Sequence, residues 1–278
     1  MPILSVLFGV VVGLLLGLTG GGGSIVAVPM LVYGLRLPAR EAVGVSLAAV
    51  GATSFVGFLH RRMLGEVELP TGLLFAIAGM LGAPVGAWLA GLLSEQVLLL
   101  AFAGLMLVVA ERMWRQASPA KLAPRGVEQP PGETPGGFAC LRDDSGNLIL
   151  SSRCGVLLVI VGLMTGVLSG LFGVGGGFVI VPALVLFSGM PIHRAVGTSL
   201  MVISLVAVAG IVSYLWAGQA ISPVVAAVFA AGGVAGLFVG QRIGRRLSRP
   251  VLQKMFVVVI LAVALFVIAR NLSMPPLS

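Results

Sequence analysis

Charge is scarce in this sequence. Only nine of its 278 residues are Asp or Glu, and charged residues of both signs make up 9%. A soluble domain carries about 25%. With 58% hydrophobic residues and a mean hydropathy of +1.13, the chain could not hide its apolar surface in any water-soluble fold of this size. It therefore reads as an all-α integral membrane protein. Its apolar stretches run well past the ~10-residue alternating strands of an outer-membrane barrel.

Other absences narrow the function. Outside the 114–152 stretch the five acidic residues, Glu41, Glu66, Glu68, Glu95 and Glu111, sit near segment ends, and no Asp, Glu or His occupies the middle of a span. No proton relay or carboxylate sodium site is visible. Cys140 and Cys154 show neither a CxxC pattern nor metal-ligand spacing and read as bland free thiols. No nucleophile–His–Asp set or metal cluster appears, so neither an enzyme nor a cofactor is expected. The net charge of +8 does not point to nucleic acid, because the basic residues lie in short loops between apolar segments. Met1 to Leu18 has no basic leader region and no small-residue cleavage site, and reads as a retained membrane segment.

What the chain does have is glycine, 40 residues of it, ten of them in two runs. Gly17-Leu18-Thr19-Gly20-Gly21-Gly22-Gly23-Ser24-Ile25-Val26-Ala27-Val28-Pro29 aligns without a gap on Gly170-Leu171-Phe172-Gly173-Val174-Gly175-Gly176-Gly177-Phe178-Val179-Ile180-Val181-Pro182. The match continues from Pro38 to Leu47 onto Pro191 to Leu200. From Gly17 to Leu47 about half the positions are identical, which marks a duplicated unit. After a one-residue slip Gly82 and Gly86 fall on Gly236 and Gly240. Neither run fits G-x-G-x-x-G, and no βαβ context surrounds them, so a dinucleotide site is excluded.

Two repeats follow, residues 1–113 and 153–278, joined by a proline-rich linker over 114–152. The first contains apolar segments at 3–18, 25–35, 42–59, 69–93 and 97–113; the second at 154–172, 178–187, 195–216, 222–241 and 251–269. In each, the second segment is too short to cross as a straight helix, so each repeat has a glycine-interrupted broken segment and three full spans. Pro29 either opens the short helix at its first turn, or bends a helix that starts near Gly23.

Charge sets the expected topology. If each broken segment counts as a crossing, the halves are inverted relative to one another. Fourteen of the 17 Lys and Arg then share one side, leaving Arg36, Arg40 and Arg270 on the other. Four crossings per half would give a nine-to-eight split. The positive-inside bias favours the inverted arrangement, with the linker cytoplasmic and both termini outside.

Matching breaks in two halves point to a transport site where they meet. The competing account is tight helix packing through glycine alone. A helix starting in mid-membrane offers unpaired N–H groups and a partial positive charge, suited to an anion. Thr19, Ser24, Ser46, Ser169, Thr198 and Ser199 could add hydroxyl donors, unless each bonds a carbonyl of its own helix. Arg40, with His193 and Arg194 at the equivalent place, could draw anions toward the site; interfacial anchoring by snorkelling is the alternative.

The glycine-rich break, IVAVP or FVIVP, and PxxxAVGxSL in both halves resemble the TauE/SafE family of membrane transporters, over essentially the whole chain apart from the linker. The resemblance implies transport of sulfite or an organosulfonate such as sulfoacetate across the bacterial inner membrane. Val45-Ser46 stands in the first motif where the second has Thr198-Ser199, the commoner family form. The substrate-binding residues so indicated are Thr19, Gly20, Gly21, Gly22, Gly23, Ser24, Ser46, Gly173, Gly175, Gly176, Gly177, Thr198 and Ser199. The expected partners are a small anionic substrate and the lipid bilayer, and a homo-oligomer is left open. An anion channel on the same repeat is the rival function.

Overall fold

A computed structural model describes residues 2–21, 23–117, 152–172, 177, 180–181, 184, 190, 192–244, 257–258, 261–262 and 264–269. The described residues form helices and connecting turns, with no strand among them. In chain order the helices are α1 (Pro2–Thr19), α2 (Ser24–Pro29), α3 (Ala39–Met63), α4 (Leu69–Leu92), α5 (Glu95–Ala117), α6 (Ser152–Phe172), α7 (Ile192–Trp216) and α8 (Pro223–Gly244). Among the described residues five stretches are long and apolar enough to cross a membrane: Ala39–Met63, Leu69–Leu92, Cys154–Phe172, His193–Trp216 and Pro223–Gly244. The protein is thus a multi-pass helical membrane protein.

Along most of α4, residue size decides which way the helix faces, Phe75 being the large residue that is buried. Along α4 the large side chains Leu73, Ile77, Leu81, Val85, Trp88 and Leu92 are exposed, while Gly72, Ala76, Gly79, Gly82, Ala83 and Gly86 are buried. That polarity is the reverse of a soluble helix. Lipid is as apolar as leucine, so large residues gain nothing from being inside, whereas small ones let backbones approach.

The closest approaches follow directly. On α1, side chains at Gly9, Gly13 and Gly17 would overlap the carbonyls of Phe229, Gly233 and Leu237, so α1 runs parallel to α8 in tight contact. On α6, Gly162, Gly166 and Gly170 face Phe75, Gly79 and Ala83 in the same way, so α6 runs parallel to α4. The first helix of each sequence repeat therefore packs on a helix of the other repeat. At the centre lie α3 and α7: Gly44 faces Tyr214, Gly51 faces Ala207 and Gly57 faces Leu200. These two helices cross antiparallel.

The Pro29 question is resolved in favour of a helix that begins at the glycines. Gly23 caps α2, and the helix carries Pro29 as its last residue before a π-helical turn over Met30–Gly34. Proline removes a backbone donor, and a wider turn is a common response to that loss. Arg36 then takes a left-handed conformation, φ 56°, and Leu37 N–H bonds to Leu31 O at 3.3 Å to close the end.

Cys154 corrects an expectation: it is disulfide-bonded, not a free thiol. Pairing is set by the fold and leaves no short motif in a chain with two cysteines. Cys140 and the linker beyond Ala117 lie outside the described residues.

Candidate functional site

Four glycines of the expected site, Gly22, Gly173, Gly175 and Gly176, lie outside the described residues. The others occupy the junction between the halves. Gly20 adopts φ +77°, a conformation that side chains resist, and its face is covered by Val196 of α7. Gly21 and Gly177 stand backbone to backbone, so that a methyl on either would strike the other. The two glycine runs thus touch. Beyond Gly177 the next atom is Ile203 Cδ1, on the central helix α7. Gly23, the cap of α2, is pressed against Val12 and Leu16 of α1.

The hydroxyls divide into two groups. Ser199 Oγ donates either to Gly20 O at 2.6 Å or to Val196 O at 2.8 Å, and is fully buried. Ser24 Oγ donates to Gly21 O at 2.7 Å, and Thr19 Oγ1 to Leu15 O of its own helix at 2.8 Å. Thr198 Oγ1 accepts the Glu68 N–H at 2.9 Å. These four hold the backbone of the junction in place. Ser46, the repeat counterpart of Ser199, and Ser169 on α6 are fully buried, and neither hydroxyl has a partner among the described residues. An unsatisfied buried hydroxyl costs about 1–3 kcal/mol. Of the hydroxyls expected at the site, Ser46 and Ser169 are therefore the two left with capacity for a ligand. Ser54 on α3 and Gln241 on α8 share that condition and were not singled out from sequence. A serine inside an apolar helix carries no local sign of whether its own carbonyls will take its proton.

The expected steering residues have different surroundings. Arg40 Nη2 lies within hydrogen-bonding reach of Gly91 O at 3.1 Å and Leu93 O at 3.2 Å, at the C-terminal end of α4. A cation there meets the negative end of the helix dipole, so Arg40 acts as an anchor in this conformation. His193 and Arg194 are exposed at the start of α7.

Arg61, one of the basic residues expected in the short loops between apolar segments, is buried. Its Nη1 donates to Glu66 Oε2 at 2.7 Å and lies 3.4 Å from His193 O. The cue was available in the spacing: an arginine in the last turn of an apolar helix with a glutamate five residues on.

A cavity of about 10 Å³ lies among Val28, Val43, Phe102 and Phe172. Its apolar lining offers nothing to a charged ligand.

Comparison with known proteins agrees with this architecture. The chain is 36% identical to a probable membrane transporter protein of Xylella fastidiosa, over 70% of this chain and 67% of that one. It is 27% identical to the probable membrane transporter protein YunE of Bacillus subtilis, over 78% and 79%. A probable membrane transporter protein of Methanocaldococcus jannaschii is 26% identical over 77% and 72%. No solved structure matches the chain. The family described as sulfite exporter TauE/SafE matches residues 5–267, and the chain, a multi-pass helical membrane transporter, belongs to that family.

Proposed function

We propose that the chain moves a small sulfur-containing anion, sulfite or an organosulfonate such as sulfoacetate, across the bacterial inner membrane by alternating access, between two inverted repeats whose glycine breaks form the site. The antiparallel crossing of α3 and α7 carries the inverted-repeat part of this reading, and the family match supports the choice of anion. These helices are counterparts in the sequence repeat. Counterparts in a same-direction duplication cross the membrane the same way, whereas turning one half over makes them run oppositely. With five crossings per half, the directions required of α1 and α8, and of α4 and α6, are parallel, which agrees with their contacts.

The contact of Gly21 with Gly177 supports a shared site. Irregular backbone survives at membrane depth only where it is buried or lines a wet cavity. An anion leaving water needs donors to replace its hydration. Backbone N–H groups at the breaks, with Ser46 and Ser169, would supply them without a fixed cation. In this reading the 114–152 linker is cytoplasmic and both termini lie outside.

Reconstituted protein tests the reading. Uptake of sulfite or sulfoacetate into proteoliposomes should be saturable and concentrative when a gradient is imposed. Flux that never saturates and never runs uphill would identify a channel. A thermal-shift screen of sulfonates against small carboxylates would identify the anion class.

A further inference from the structure

Among the described residues Arg61 is the one charged side chain that is buried. Its place connects it to the first break. Arg61 lies 3.4 Å from His193 O, Val196 one turn further along α7 covers Gly20, and Ser199 bonds Gly20 O. The loop that follows Arg61 lies across the same start of α7. Glu66 O leaves no room for a side chain at Gly197, and Glu68 N–H bonds Thr198 Oγ1. Thr71 Oγ1 donates to Glu68 Oε1 at 2.7 Å and holds that end. The loop at the opposite end packs differently. There the loop over 217–222 reaches the start of α3 through Ile221 at Gly44 and carries no charged residue.

A second donor lies level with Arg61. α3 and α8 run parallel, with Thr53 at Gly233 and Gly57 near Leu237. Continued by one turn, that register puts Gln241 level with Arg61, and the Gln241 Nε2 is buried without a partner among the described residues. A guanidinium binds carboxylate and sulfonate oxygens with the same fork geometry.

We propose that Arg61 passes the anion between the glycine breaks and the face that bears the α3–α4 loop, and that Glu66 occupies its guanidinium while that mouth is shut. The proposal rests on the carrier reading above. Opening exchanges one oxyanion for another on the same cation, so the buried charge is never left unpaired.

Two measurements test this. The first uses Val196→Cys, normally 7% exposed, in a Cys140→Ser/Cys154→Ser background with a membrane-impermeant maleimide. Adding Glu66→Gln should raise the labelling rate about fivefold or more, because the mouth loses its ionic tie. The second measures the KM for sulfite. Arg61→Gln should raise it about tenfold, Arg61→Lys less because the charge stays while the fork is lost, and Glu66→Gln should lower it, with melting temperatures near the parent's showing that the loss is not misfolding. A merely structural ion pair would move Arg61→Gln and Glu66→Gln in the same direction. That result, or labelling unchanged by Glu66→Gln, overturns the proposal. The labelling arm requires no substrate, so a protein that ignores sulfite refutes the choice of anion while the gate is still decided.

Discussion

Ser199 donates its hydroxyl proton to Gly20 O across 179 residues of chain, tying the second half of the protein to the break in the first. Its repeat counterpart Ser46 is equally buried and has no such bond. One sequence motif thus carries two physical roles. Ser199→Ala should remove a bond and leave a carbonyl unsatisfied, costing about 1–2 kcal/mol of stability. Ser46→Ala should cost little stability yet weaken anion binding. Melting temperatures and ligand-induced shifts of the purified variants separate the two. Equal loss of stability in both would mean that Ser46 is a structural residue.

The glycine stripes predict where bulk is forbidden. Gly13→Val and Gly166→Val would each drive a side chain into a facing backbone, at Gly233 and Gly79 respectively. Over-packing of this kind costs about 1–3 kcal/mol, and more where the clash is with backbone. Gly104 has open space around it, so Gly104→Ala should be neutral or gain up to about 1 kcal/mol from helix propensity. Thermal melts in detergent compare the three directly.

The break itself makes a sharper test at Gly21. A valine there meets Gly177, so Gly21→Val should lower stability and binding together. Val26→Ala, on the flanking segment, removes two methyl groups from a buried site and should cost about 1–3 kcal/mol while leaving binding largely intact. Ligand-induced melting shifts provide the comparison. Normal binding by a well-folded Gly21→Val variant would remove the glycine runs from the site.

Arg40 is expected to behave as an anchor. Arg40→Gln removes a cation from the C-terminal end of α4 and should cost about 0.3–1 kcal/mol. Its effect on transport should be the same at low and high ionic strength. A defect that appears at low salt and vanishes at high salt is the signature of steering, because screening shortens the reach of a charge.

The fourteen-to-three charge bias predicts that the linker side is cytoplasmic. Impermeant thiol reagents should then miss Cys140 in a Cys154→Ser variant in intact cells and reach it in inverted vesicles. Gln219→Cys in a cysteine-free background should behave the opposite way. Labelling of both from one side would reject the inverted arrangement.

Sequence alone determined that the chain is a helical membrane protein, that it contains a duplication and where most apolar segments begin and end. Each of these is a local property: hydropathy is summed over about 20 residues, and a repeat is read by laying one stretch on another. It also carried a packing signal that was easy to miss, the four-residue spacing of Gly9, Gly13 and Gly17 and of Gly162, Gly166 and Gly170. The tertiary structure decided which helix each stripe meets. It also decided that Thr198 supports a loop while Ser46 finds no partner among the described residues, that Arg40 anchors α4, and that Arg61 is buried. The physical reason is the solvent. In water, a helix advertises its inner face by hydrophobicity. In lipid both faces are apolar, so partners are chosen by shape and by hydrogen bonds between residues more than a hundred positions apart, as between Ser199 and Gly20.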